Sequence, residues 1–164
     1  MSALRRLEWV RWWWPALVWA LLIFDFSTDP FSGQHTSGFF IPFLHWLFPA
    51  APMETLEHLH HLIRKSAHLG EYFLFGLLVF RGFRGGRPGW TTEWAVRAVA
   101  VAAGWAALDE LHQAFVPSRS PSMMDVMIDT CGAIAGQIVL AGVLLLRSRL
   151  ARGAGDVDST HRIV

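Results

Sequence analysis

The chain has 164 residues, 53% of them hydrophobic and only 16% charged, with a mean hydropathy of +0.35. Soluble domains carry about 25% charged residues, so this composition excludes an ordinary soluble domain. A net charge of +1 provides no basic footprint for nucleic acid, and the single cysteine, Cys131, excludes an intrachain disulfide or a thiolate zinc cluster.

Nine tryptophans against one tyrosine suit a membrane protein, because indole rings favour the headgroup level. Arg5, Arg6 and Arg11 precede or enter a first apolar run, which predicts a membrane helix from about Trp9 to Phe26. Pro15 falls early in it, where proline is tolerated best. No small-x-small cleavage site follows, so the segment reads as an uncleaved anchor.

Residues 27–52 read as a loop, with turn signals at Asp29-Pro30, Ser32-Gly33 and Ser37-Gly38. Inside it, Phe39 to Phe48 is strongly apolar but too short to cross, which predicts an interfacial or re-entrant segment. Pro52 and the acids Glu54 and Glu57 mark a helix start. Leu56, Leu59, Leu62 and Ile63 recur at helical spacing, and this amphipathic piece runs into a second span, about Ser66 to Phe83. His58, His60 and His61 beside it read mainly as a solvated face, since His60 and His61 point in different directions.

A short basic loop follows, with Arg81, Arg84 and Arg87 among glycines. The third span is about Trp94 to Leu108 and ends in Asp109-Glu110. The fourth, about Met123 to Leu146, is the cleanest and closes with Arg147, Arg149 and Arg152. The fold class is therefore all-α: a polytopic membrane protein of four transmembrane helices with an additional interfacial or re-entrant segment in the first outer loop. Residues 1–152 form the membrane domain, and 153–164 read as a polar, disordered cytoplasmic tail.

Arginine placement sets the orientation. The N-terminus, the 81–89 loop and the 147–152 stretch each carry three arginines, while the two opposite connections carry one each, Arg64 and Arg119. The positive-inside rule then puts both termini and the 81–89 loop in the cytoplasm. Lys65, His68 and Glu71 fall at the outer end of the second span, Asp109, Glu110 and Gln113 at that of the third, and Asp125 and Asp129 at that of the fourth. At roughly 100° per residue, His61, Lys65, His68 and Tyr72 share one helix face, with Glu71 at its edge. Asp125, Asp129, Gly132 and Gly136 form another stripe, whose glycines admit a close neighbour.

Five carboxylates at this level, Glu71, Asp109, Glu110, Asp125 and Asp129, outnumber Lys65, Arg119 and Arg64. Three outcomes are open: some acids stay protonated, some face water, or Asp109, Asp125 and Asp129 hold a divalent cation such as magnesium or calcium. Thirteen of the basic residues are arginine, and the one lysine is Lys65, which places the chain's single ammonium in this stripe.

The segment 65–78, KSAHLGEYFLFGLL, resembles the first signature of VanZ-like membrane proteins. Asp109-Glu110, Gln113, Phe115, Pro117, Arg119, Asp125, Asp129, Gly132 and Gly136 resemble the second. The resemblance runs from about Trp12 to Leu146, with Arg64 departing from the acid common at that place. It implies a bacterial envelope role of the glycopeptide (teicoplanin) resistance type, without naming a reaction.

Three functions fit these residues. In the first, the site binds a lipid phosphate or a lipid-linked cell-wall precursor: Lys65 and Arg119 hold the anion, and Tyr72, Gln113, Asp125 and Asp129 complete the ligand set. In the second, the charges pair and fix helix order, Lys65 with Asp109 or Asp129, and Arg119 with Asp125. In the third, a small metal-dependent transferase or hydrolase, Lys65, His68, Glu71, Asp109 and Glu110 are the catalytic candidates. The expected partners are the lipid bilayer and such a lipid ligand, with no nucleic acid.

Overall fold

The computed structural model describes residues 3–28, 33–116 and 121–161, with side chains over 8–28, 36–116 and 121–151. These residues form five helices: α1 (Ala3–Phe26), α2 (Gly33–Leu47), α3 (Met53–Arg84), α4 (Thr92–Gln113) and α5 (Met123–His161). Among the described residues there is no strand, as the sequence leads one to expect.

Pro15 lies inside α1 and has no N–H to give to the Arg11 carbonyl, its acceptor one turn earlier. Arg81 of α3 takes that place. Its Nη2 donates to Arg11 O at 3.1 Å and its Nη1 to Trp12 O at 2.8 Å. Beside this fork, a Cβ on Gly82 would meet the Trp13 indole at 2.7 Å, so the glycine is what lets α1 lie so close. The proline defect thus becomes the joint between α1 and α3.

The first connection departs from expectation. The sequence signals at Ser32-Gly33 and Ser37-Gly38 predict turns, but Gly33–Leu47 is one helix that passes through Ser37, Gly38 and Pro42. Asp29-Pro30 and Ser32 lie outside the described residues. Leu44 is buried and Phe40 stacks on His60 of α3, so packing outweighs the weak helix propensity of this segment. Phe39, Phe43 and Trp46 remain on the exposed side, Phe39 at 72% and Trp46 at 75%.

Helix α3 joins the amphipathic piece and the oily piece without a break. It stops at Gly85, whose φ of 58° suits glycine and whose N–H donates to Arg81 O at 3.0 Å. Thr91 then caps α4, its hydroxyl accepting from Trp94 N at 3.3 Å. Ala95, Ala98, Ala102 and Ala106 are buried along one face of α4, and Asp109, Glu110 and Gln113 extend it. Helix α5 continues to His161, where a disordered tail from Gly153 is expected; a helix already nucleated adds turns at little further cost.

Ser27 meets Asp109, and Lys65 meets Asp125, at one end of the bundle; Trp12 meets Arg81 at the other. So α3 and α5 run parallel from the polar end, and α1 and α4 run towards it. The most extensive packing is between α3 and α5. There a Cβ on Gly136 would stand 2.8 Å from Phe73 O, and one on Gly76 3.0 Å from the Ala133 Cα. Gln137 Nε2 donates across the same seam to Gly76 O at 3.0 Å. Among the described residues, only Met123–Ala151 is long and apolar enough to cross a membrane by composition. Titratable residues in α3 and the charged and tryptophan-rich start of α1 lower the average apolarity of those helices.

Candidate functional site

The polar end contains a layer of buried polar side chains. Ser27, at the end of α1, donates its hydroxyl to Asp109 Oδ2 at 2.6 Å. Gln113, one turn on from Asp109, donates to the same oxygen at 3.1 Å and to Ser27 Oγ at 3.4 Å. This closed triangle ties α1 to α4. Glu110 Oε2 accepts from the Ser122 backbone N–H at 2.6 Å, which holds the entry to α5.

Between α3 and α5, His68 Nδ1 stands 3.4 Å from Asp129 Oδ1, and Asp129 is only 1% exposed. Asp129 Oδ2 and the Tyr72 hydroxyl have no hydrogen-bond partner among the described residues. Buried polar atoms normally find partners, so an unpaired one calls for an explanation, a ligand or a catalytic role among them. One turn further out, Lys65 Nζ is 3.7 Å from Asp125 Oδ1, with the Lys65 side chain still 44% exposed.

Beside this layer lies a cavity of about 260 Å³ between the end of α1, α2 and the first half of α3. Its polar lining comes from Ser27, Thr36, His60, Arg64, His68 and Glu71. Phe26, Phe40, Ile63 and Ala67 supply the apolar wall. His68 belongs to both places: its ring lines the cavity while Nδ1 faces Asp129. Such a pair can orient an imidazole. His60 pairs with Thr36 Oγ1 at 3.2 Å and stacks on Phe40 at 5.7 Å. Burial, then the charges of His61 and Arg64, hold its imidazole below the ordinary value.

The structure rearranges several expected roles. Lys65 pairs with Asp125, not with Asp109 or Asp129. The reason is register: the α3–α5 seam sets Lys65 level with the first turn of α5, while Asp109 is committed to Ser27 and Gln113. Asp109, Asp125 and Asp129 are not gathered round one point in this structure. Each faces a different neighbour, and among the described residues no three His, Cys, Asp or Glu side chains converge on one point. Tyr72, a ligand candidate, is fully buried and does not line the cavity. Glu71 does line it. Arg119 lies outside the described residues.

His60 is not part of a solvated face; it is buried under α2, whereas His58 and His61 are exposed. The sequence also leaves Ser27, Thr36 and Phe40 unmarked. The available signal is a stripe one residue over from the one singled out: His60, Ile63, Arg64, Ala67, His68 and Glu71 follow helical spacing and form the α3 wall of the cavity.

A family model described as VanZ/LLP1 matches residues 12–146. The chain belongs to that family. No curated protein and no solved structure matches it. VanZ/LLP1 membership, together with the apolar helix Met123–Ala151, points to a membrane protein. The matched range takes in α1 from Trp12, the cavity and the buried polar layer, so the described site lies within the VanZ/LLP1 part of the chain.

Proposed function

We propose that this VanZ-family protein is a multi-pass protein of the bacterial cytoplasmic membrane that binds a lipid phosphate or lipid-linked envelope intermediate at its outer face. The four spans are the sequence ones, about residues 9–26, 66–83, 94–108 and 123–146, with both termini cytoplasmic and α2 in the outer interface. The observation that carries this reading is the reversed burial pattern. Asp109, Glu110, Gln113, Asp125, Asp129 and Gln137 are buried, while Leu17, Leu21, Val96, Val101, Ile138 and Leu145 are exposed. In water that arrangement would be unfavourable; in a bilayer it places apolar side chains against lipid and charges inside the bundle. The three arginines Arg81, Arg84 and Arg87 at the opposite end support the orientation.

Arg64 supports the anion. It lines the cavity and makes no ion pair with a described residue, whereas Lys65 is already paired. Arginine suits a phosphate oxygen pair through its fork of donors. In this reading such binding serves an envelope function of the glycopeptide (teicoplanin) resistance type, the role that the resemblance implies. The test is mass spectrometry of lipids that co-purify with the protein from bacterial membranes. A phosphate-bearing lipid should accompany the wild type and be depleted in Arg64→Ala at equal protein yield. Equal lipid in both, or none in either, overturns the reading. Single cysteines at Gly86 and Ser122 should be labelled from opposite sides of the membrane.

A second reading rests on the Ser27–Asp109–Gln113 triangle and the Glu110–Ser122 contact. These groups satisfy one another and fix helix order, so part of the polar layer is architecture even where the cavity binds a ligand.

A further inference from the structure

The cavity bounds what its occupant can be. Its volume of about 260 Å³ falls just below the range of roughly 300–1,000 Å³ typical of pockets for drug-sized ligands. A headgroup bearing a disaccharide or a peptide would enter it only in part and leave the remainder outside. The charge is bounded as well. Among the described residues of the wall, Arg64 is the one fixed cation, Glu71 is an acid, and His60 and His68 are the other titratable groups. A single guanidinium balances one negative charge better than two. The rim is apolar: Phe26, Phe40, Ile63 and Ala67 line it, and Ile63 and Ala67 are exposed on the outer side of α3. The neighbouring exposed face of α2 carries Phe39, Phe43 and Trp46. A hydrocarbon chain attached to the bound head therefore has an apolar path out between α2 and α3.

We infer that the cavity takes the small phosphodiester head of a glycerophospholipid, entering sideways from the bilayer with its chains over Ile63 and Ala67, and does not take a glycan-bearing lipid. The inference rests on the lipid-phosphate reading and narrows it. Arg64 holds the phosphodiester oxygens, and α2, pinned through His60 to Thr36 and Phe40, forms the far wall.

The experiment uses the full chain in detergent and follows its thermal unfolding against added dihexanoylphosphatidylglycerol, glycerol phosphate, inorganic phosphate, a long-chain polyprenyl monophosphate and a polyprenyl-diphosphate disaccharide. A saturable rise in unfolding temperature is expected with the short-chain phosphatidylglycerol and not with the two soluble anions at equal concentration. Arg64→Ala should weaken it roughly ten- to a hundredfold, the size of one charge-assisted contact. Ala67→Trp fills the wall from an exposed position that leaves the fold intact, and should abolish the rise without lowering the basal unfolding temperature. Stronger binding of the polyprenyl disaccharide or monophosphate overturns this inference and leaves the lipid-phosphate reading standing. A response to inorganic phosphate equal to that of the lipid overturns the lateral, amphiphile part. No response to any phosphate-bearing lipid overturns both.

Discussion

Replacing Gly132 by alanine tests the seam on which the site depends. A Cβ there falls on the Leu69 carbonyl oxygen and lies 3.2 Å from Phe73 N, and both are backbone atoms of α3. No side chain can rotate away, so α5 itself must shift. Overpacking of this kind costs about 1–3 kcal/mol, and more when backbone has to move. For a chain of this length that corresponds to roughly 2–4 °C per kcal/mol in unfolding temperature. The comparison is Gly142→Ala on the same helix, where nothing lies within 4 Å of the added atom. There alanine gains helix propensity, up to about 1 kcal/mol. Thermal unfolding of the purified proteins in one detergent should order them Gly142→Ala, wild type, Gly132→Ala. The shift of α5 also carries Asp129 away from His68 and Asp125 from Lys65, so lipid binding should fall with stability. Gly132→Ala at wild-type stability, or Gly142→Ala losing as much, would refute the described helix crossing.

Ser27→Ala removes the donor to Asp109 Oδ2 and leaves Gln113 as its neighbour, so a loss of about 1–2 kcal/mol is expected by the same assay. Gln137→Leu breaks the 3.0 Å bond to Gly76 O but also removes an unpartnered buried carbonyl, and should stay within about 0.6 kcal/mol of wild type; a much larger loss would show that the seam relies on that bond. His60 is neutral and buried under α2, held below its ordinary value of 6.5. Its contribution to α2 docking is therefore complete above 6.5 and declines as pH falls through 6.5 towards the lowered folded value. Hydrogen exchange in α2 should accelerate between neutral pH and about pH 5 relative to α4, and His60→Phe should remove that dependence.

The sequence makes one part of this architecture legible and hides another. Helical spacing marks Lys65, His68 and Tyr72 as one face, and Asp125, Asp129, Gly132 and Gly136 as another, and the structure brings the two faces together. Which residue pairs with which is not a property of either face. It depends on how far α5 slides along α3, and that is set by where Gly132 and Gly136 admit the Leu69 and Phe73 carbonyls. A shift of one turn would give Lys65 to Asp129; the observed register gives it Asp125. The cavity is hidden for a related reason. On a helix, one step in sequence is roughly a 100° turn, so the stripe His60, Arg64, Ala67, Glu71 adjoins the stripe His61, Lys65, His68, Tyr72. Only the position of α2 decides which adjoining face meets a wall, and Gly33–Leu47 looks like a loop until Phe40 and Leu44 are seen to pack. His68 lies at the border of the two stripes, which is why the sequence marks it on the polar face and the structure places it both against Asp129 and in the cavity.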